Sequence, residues 1–141
     1  MADEVVLNKA EIIENCLRRI QEEYQGKREY LLGNQTKQDS ILLNLERASQ
    51  AAIDMAMRIV RMRSLGLPKE SRDAFLLMQA AGFISEDLTK KMLGLVGFRN
   101  TAIHNYKKLD LDIVEAVLNK HLGDFKKLIE IGLKIEVDLK K

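Results

Sequence analysis

Arg99, His104 and Tyr106 stand in "GFRNTAIHNY", residues 97–106, and their types and spacing could do chemistry. A guanidinium can hold a phosphodiester and stabilise the charge that grows on it in a transition state. An imidazole titrates near neutrality and can exchange a proton at the same pH. Together they suffice for one reaction without a metal, the attack of an RNA 2′-hydroxyl on its own adjacent phosphate. The other histidine, His121, is remote in sequence and no carboxylate cluster has metal-ligand spacing, so no metal is expected. The chain has neither a Gly-rich phosphate loop nor a serine nucleophile elbow, and no cofactor is expected. Lys90, Lys91, Lys107 and Lys108 flank the segment and could attract a phosphate backbone, a solvated helix face being the plainer reading of each.

The arginine falls in an apolar helix stripe, after Leu88, Met92 and Leu95. Burying it requires an acid, a phosphate or water as partner. A salt bridge to Asp39 or Asp54 on a neighbouring helix would satisfy it without any function. Arg99 and Tyr106 are seven residues apart, hence on nearly the same face and about 10 Å apart along the axis. His104 is rotated from Arg99 by roughly 140°. One straight helix therefore cannot aim all three groups at one point. Either the helix ends near His104, or a second chain brings its own arginine and histidine to a shared, self-complementary cleft; both are expected. Gly94 and Gly97, each costing about 1 kcal/mol against alanine inside a helix, suggest a close backbone approach. That approach is either tight packing within the bundle or a dimer contact.

Around this motif the sequence predicts four long helices and one short one. The first spans about Asp3 to Tyr30, with Leu7, Ala10, Ile13, Leu17, Ile20 and Tyr24 in its stripe. Thr36 is a candidate cap for the second, which carries Leu45, Ala48, Ala52, Met55, Ile59 and Met62 on one face. Gly66 ends it, and Pro68 suits the first turn of a short helix to about Ala81. Ser85 then caps the motif helix. The last begins at "DLDIVE", where Asp112 and Glu115 have capping-box spacing, and its stripe is Leu111, Val114, Leu118, Leu122, Phe125 and Ile129. His121 is expected half-exposed beside that stripe. Met55, Met57, Met62, Met78 and Met92 read as core filling.

Such helices with short connections bury one another as an antiparallel up-and-down bundle. Their near-heptad stripes would also serve a coiled coil between chains, and a dimer of bundles satisfies both patterns. With 141 residues there is room for one domain, 1–141, and one core. Cys16, alone, excludes an internal disulfide and reads as a buried thiol in a reducing compartment. The net charge of +2 does not by itself imply a nucleic-acid partner. No basic leader precedes an apolar run and no apolar stretch approaches about 20 residues, so a cytoplasmic protein without membrane contact is expected.

"RNTAIHNY" resembles the R-x-x-x-x-H-x-Y signature of HEPN-domain toxins of the HepT type, found in prokaryotic MNT–HEPN toxin–antitoxin pairs. The resemblance extends through the helix order, "DSILLNLERASQAAIDMA" and "LDLDIV" to most of the chain. It implies an all-α, dimerising bundle with the motifs of two protomers lining one cleft. By position, Arg99 and His104 would be the ribonuclease residues and Asn100 would help orient the site. Tyr106 would be the tyrosine to which a minimal nucleotidyltransferase antitoxin transfers AMP from ATP. Added negative charge and bulk beside the phosphate-binding arginine would neutralise the toxin directly. The expected function is a metal-independent endoribonuclease toxin that leaves a 2′,3′-cyclic phosphate. The alternative is a non-catalytic HEPN subunit that supplies a nucleotide-binding cleft to the nucleotidyltransferase. A plain structural dimer is the third reading.

Overall fold

A computed structural model describes residues 2–104 and 110–135, with the side chains of 102–104 left out. Its helices are α1 (Glu4–Tyr24), α2 (Arg28–Leu32), α3 (Gln35–Met62), α4 (Ser71–Ala80), α5 (Glu86–His104), α6 (Leu111–Lys120) and α7 (Leu122–Lys134). Among the described residues every regular segment of this length is helical, and no helix is long and apolar enough to cross a membrane.

Asp3 starts α1, its carboxylate accepting from the amides of Val5 and Val6. The apolar stripe Val6, Ala10, Ile13, Leu17, Ile20 and Tyr24 is buried as the three- and four-residue steps require. Val6 takes the place expected of Leu7, which is exposed. The first helix is shorter than the sequence predicts. Gln25 and Gly26 both turn left-handed, at φ 51° and 69°, so the chain breaks before Tyr30 and α2 follows as a separate turn.

Asn34, rather than Thr36, caps α3, accepting from the Lys37 amide at 3.0 Å. Pro68 lies outside α4, which is opened instead by a reciprocal capping box between Glu70 and Asp73. Ser85 caps α5 as expected, its hydroxyl accepting from the Leu88 amide at 3.1 Å. Asp110, not Asp112, caps the next helix. That helix is in fact two, because the chain breaks at His121. Among the described residues seven helices thus stand where five were expected.

Three ion pairs fix α1 antiparallel to α3: Asp3 with Arg58, Lys9 with Asp54, and Glu23 with Lys37. One end of the bundle therefore joins the start of α1 to the end of α3. There Gly132 of α7 packs against Val6, Met55 and Ile59. The other end gathers the end of α1, α2 and the start of α3. The first turns of α6 are tied there by Arg28, which reaches Asp112 at 3.6 Å and Glu115 at 3.1 Å. The Tyr24 hydroxyl adds a bond donated to Asn119 Oδ1 at 2.9 Å.

One core runs between these ends. Met55, Met78 and Met92 are buried in it, and Met57 and Met62 pack at its edge. Cys16 is buried there too, and desolvation pushes its thiol pKa up.

Candidate active site

Helix α5 carries the motif from the first end to the second. Arg63, just past the end of α3, lies over the Phe83 ring at 5.7 Å, which holds the turn before α5 beside the end of α3. Within the second turn of α5, Lys91 Nζ lies 3.8 Å from Asp124 at the start of α7. Arg99 is two turns further, about 12 Å along the axis. Arg99 therefore lies toward the end of α5 that points away from Phe83.

Leu88, Met92 and Leu95 are buried in the expected stripe, joined by Val96 and Phe98. Arg99 continues it half-buried. Its Nη1 donates to Asn100 Oδ1 at 3.3 Å. Its Nε is buried and has no hydrogen-bond partner among the described residues. Asp54 is engaged by Lys9 at 3.4 Å and by Gln50 Nε2 at 2.8 Å, and Asp39 accepts from Gln35 Nε2 at 2.8 Å. The bond found for the guanidinium is thus to the adjacent amide, not to either carboxylate offered by spacing. A desolvated N–H without an acceptor costs about 1–3 kcal/mol, which an incoming anion would offset.

His104 is the last residue of α5, and its side chain lies outside the described residues, as do Tyr106, Lys107 and Lys108. Helical register alone places His104 about 140° round from Arg99, on the side of Gly97 and Thr101. Gly97, Gly94 and Thr101 are exposed. A Cβ added at either glycine would meet nothing within 4 Å. Among the described residues, therefore, nothing packs tightly against these glycines.

The flanking lysines on α5 are already committed to carboxylates. Lys90 pairs with Glu86 at 3.5 Å, and Lys91 with Asp87 at 3.0 Å. Hydrogen bonding to Asp87 raises the Lys91 pKa, and the same bond lowers that of Asp87. Asp124, buried, holds His121 Nδ1 at 3.0 Å as well as Lys91. His121 is half-exposed and serves at the α6–α7 break, so it joins a structural cluster. Neither Asp124 nor this cluster was anticipated, since the signal is a lone acid after "HLG". Among the described residues no group of His, Cys, Asp and Glu could hold a metal ion. A hollow of about 820 Å³ between Val5, Met57, Arg61 and Leu67 lies at the opposite end and contains no motif residue.

Comparison with known proteins identifies the family and the fold. The family described as "Ribonuclease HepT-like" matches residues 13–131. The mRNA nuclease HepT of Shewanella oneidensis is 40% identical over 129 residues, covering 92% of this chain and 96% of that one. The solved structure of the tri-AMPylated Shewanella oneidensis HEPN toxin with MNT antitoxin superposes with TM-score 0.86 at 39% identity, over 92% of this chain and 96% of that one. A toxin–antitoxin structure with AMP-PNP gives TM-score 0.85 at 38% identity, over 92% and 98%.

Proposed function

The chain belongs to the HepT-like ribonuclease family, and from that premise we propose that it is a cytoplasmic, metal-independent endoribonuclease toxin. Residues 1–141 act as one HEPN-like domain, used as a homodimer. The observation that carries the reading is the Arg99 guanidinium. It occupies a core stripe, is steadied by Asn100 and leaves a buried N–H without an acceptor among the described residues. A phosphodiester oxygen is the anion that such a fork accepts.

In the reaction the RNA 2′-oxygen attacks its own phosphorus as the 2′-proton leaves. The bond to the 5′-oxygen breaks, and that oxygen takes up a proton. The products are a 2′,3′-cyclic phosphate and a 5′-hydroxyl, so atoms and charge balance. Arg99 binds the non-bridging oxygens, where negative charge grows. His104 serves as the base at the 2′-oxygen or the acid at the 5′-oxygen. Because register separates His104 from Arg99 on one helix, each catalytic centre pairs the groups across two chains. The Gly94–Gly97 strip permits the close approach this needs. Lys107 and Lys108 would contact flanking phosphates.

Neutralisation would act on the same arginine. An MNT-type nucleotidyltransferase antitoxin would transfer AMP to the Tyr106 hydroxyl, releasing pyrophosphate from ATP. Anionic nucleotide bulk near Arg99 would compete with RNA for the guanidinium.

The test is RNA cleavage by purified protein in the presence of a chelator. His104→Ala and Arg99→Ala are expected to lower it by at least about 100-fold, with helicity unchanged. Undiminished cleavage by His104→Ala would remove the catalytic assignment. Mass spectrometry after co-expression with the antitoxin is expected to find AMP on Tyr106.

A further inference from the structure

Five residues separate the end of α5 at His104 from the cap of α6 at Asp110, and Tyr106, outside the described residues, is one of them. Whatever holds the start of α6 therefore bounds where Tyr106 can go, because four residues of chain reach at most about 14 Å. Among the described helices, the α6 backbone runs close to α2 and α7 and to no other. Helix α7 follows α6 directly, so α2 is the neighbour distant in sequence that sets where α6 begins. Val114 and Leu118 sink α6 into the core, but apolar burial has no direction and leaves rotation and sliding open. Polar ties close them. Arg28 of α2 donates through Nη1 to Glu115 Oε1 at 3.1 Å, and its Nη2 lies 3.6 Å from Asp112 Oδ1. One turn beyond Glu115, Asn119 accepts from the Tyr24 hydroxyl at the end of α1.

The tether is itself anchored. Gln25 and Gly26 turn left-handed ahead of α2, Leu31 is fully buried, and Gln38 Nε2 donates to the Leu31 carbonyl at 2.9 Å. Lys37 and Lys27 add to this by lying 4.7 Å and 5.1 Å from the centroid of the Tyr30 ring. We propose that Arg28 is a positioning residue for Tyr106: by holding the first turn of α6 it keeps the tyrosine hydroxyl where the nucleotidyltransferase delivers AMP. The inference rests on the modification read for Tyr106 above. In that transfer the phenolic oxygen bonds to the α-phosphorus of ATP and gives up its proton, and pyrophosphate leaves. Arg28 touches none of these groups and acts through α6. Its guanidinium is exposed, and exposed ion pairs add little to folding stability. Losing it therefore moves the rate of AMP transfer far more than it moves the fold.

Single-turnover transfer from magnesium ATP to the full chain, with purified nucleotidyltransferase antitoxin in excess, separates positioning from association. Arg28→Ala is expected to lower the rate at saturating antitoxin about tenfold, with antitoxin affinity and melting temperature near native. Glu115→Gln is expected to lower it too, and carries the same test where Arg28→Ala melts early. Combining the two should lower the rate no further, since both remove one contact. Lys9→Ala removes the ion pair with Asp54 between α1 and α3, and should leave transfer at the native rate. A native rate in Arg28→Ala overturns the proposal, as does an equal loss in Lys9→Ala. Weaker antitoxin binding with an unchanged saturating rate also overturns it and makes Arg28 part of the docking surface. If the native chain gains no AMP on Tyr106, the reading of that tyrosine fails and the proposal with it.

Discussion

Arg58 grips Asp3 with both arms of its guanidinium, Nε donating to Oδ1 at 3.0 Å and Nη2 to Oδ2 at 2.7 Å. The same carboxylate caps α1, so a single acid joins the last third of α3 to the first turn of α1. The bonds from Arg58 hold the Asp3 carboxyl below the usual carboxylate range, outweighing the opposing effect of burial. A carboxyl whose pKa is lower in the fold stabilises fully above its unfolded value and loses that contribution as pH falls through the folded one. Thermal melting between pH 7 and 3 should therefore show a loss below about pH 4 that is reduced in Asp3→Asn. At neutral pH, Asp3→Ala should lower stability by about 2–3 kcal/mol. A melting profile for Asp3→Asn parallel to the native one would assign the acid loss to other carboxylates.

Gly132 sets a second test, of packing. A Cβ there would lie 2.9 Å from Met55 Sδ and 3.3 Å from Val6 Cγ1, both in fully buried side chains. Urea unfolding of Gly132→Ala should show a loss of about 1–3 kcal/mol despite alanine's better helix propensity. Gly123→Ala, where a Cβ meets nothing within 4 Å, should not be destabilised. Equal behaviour of the two would mean that the core yields at Met55.

The bare strip on α5 separates helix propensity from association. Measured below the dissociation concentration of the proposed dimer, Gly94→Ala should gain up to about 1 kcal/mol. Gly97→Leu should shift sedimentation from dimer to monomer and abolish cleavage while leaving the helical spectrum intact. A stable Gly97→Leu dimer would move the shared cleft away from this face.

Arg99→Lys distinguishes a fork from a point charge. Lysine keeps the positive charge but cannot present two parallel donors or reach Asn100 in the same way. Cleavage should fall at least about tenfold in kcat/KM. Full activity would show that charge alone suffices at this position.

The apolar periodicity carried the architecture well because burial enforces it. Ala10, Ile13, Leu17, Ile20 and Tyr24 are all inside, as are Val114, Leu118, Phe125 and Ile129. Where helices end was less legible. The stripe runs unbroken through His121, so a change of helix there leaves no mark in spacing. The left-handed turn falls on Gln25, a residue that carries no turn signal, with only Gly26 beside it to hint at one. Caps were misplaced by two residues at Asn34 and Asp110 because other polar residues nearby are equally able to cap. At the site, Arg99 in an apolar stripe was itself the signal. Its adjacent partner Asn100 was named from the family resemblance, not from helix geometry. Side-chain positions at His104 and beyond lie outside the described residues.

The antiparallel pairing of α1 with α3 has a further consequence. It sends the Asp3–Arg58 clamp and the Gly132 contact to one pole of the molecule, and Arg99 to the other. On the function proposed above, durability and reactivity are thereby housed apart. A covalent tag at Tyr106 would disarm the enzyme without unfolding it, and drift at the clamped pole would toughen the molecule without blunting it.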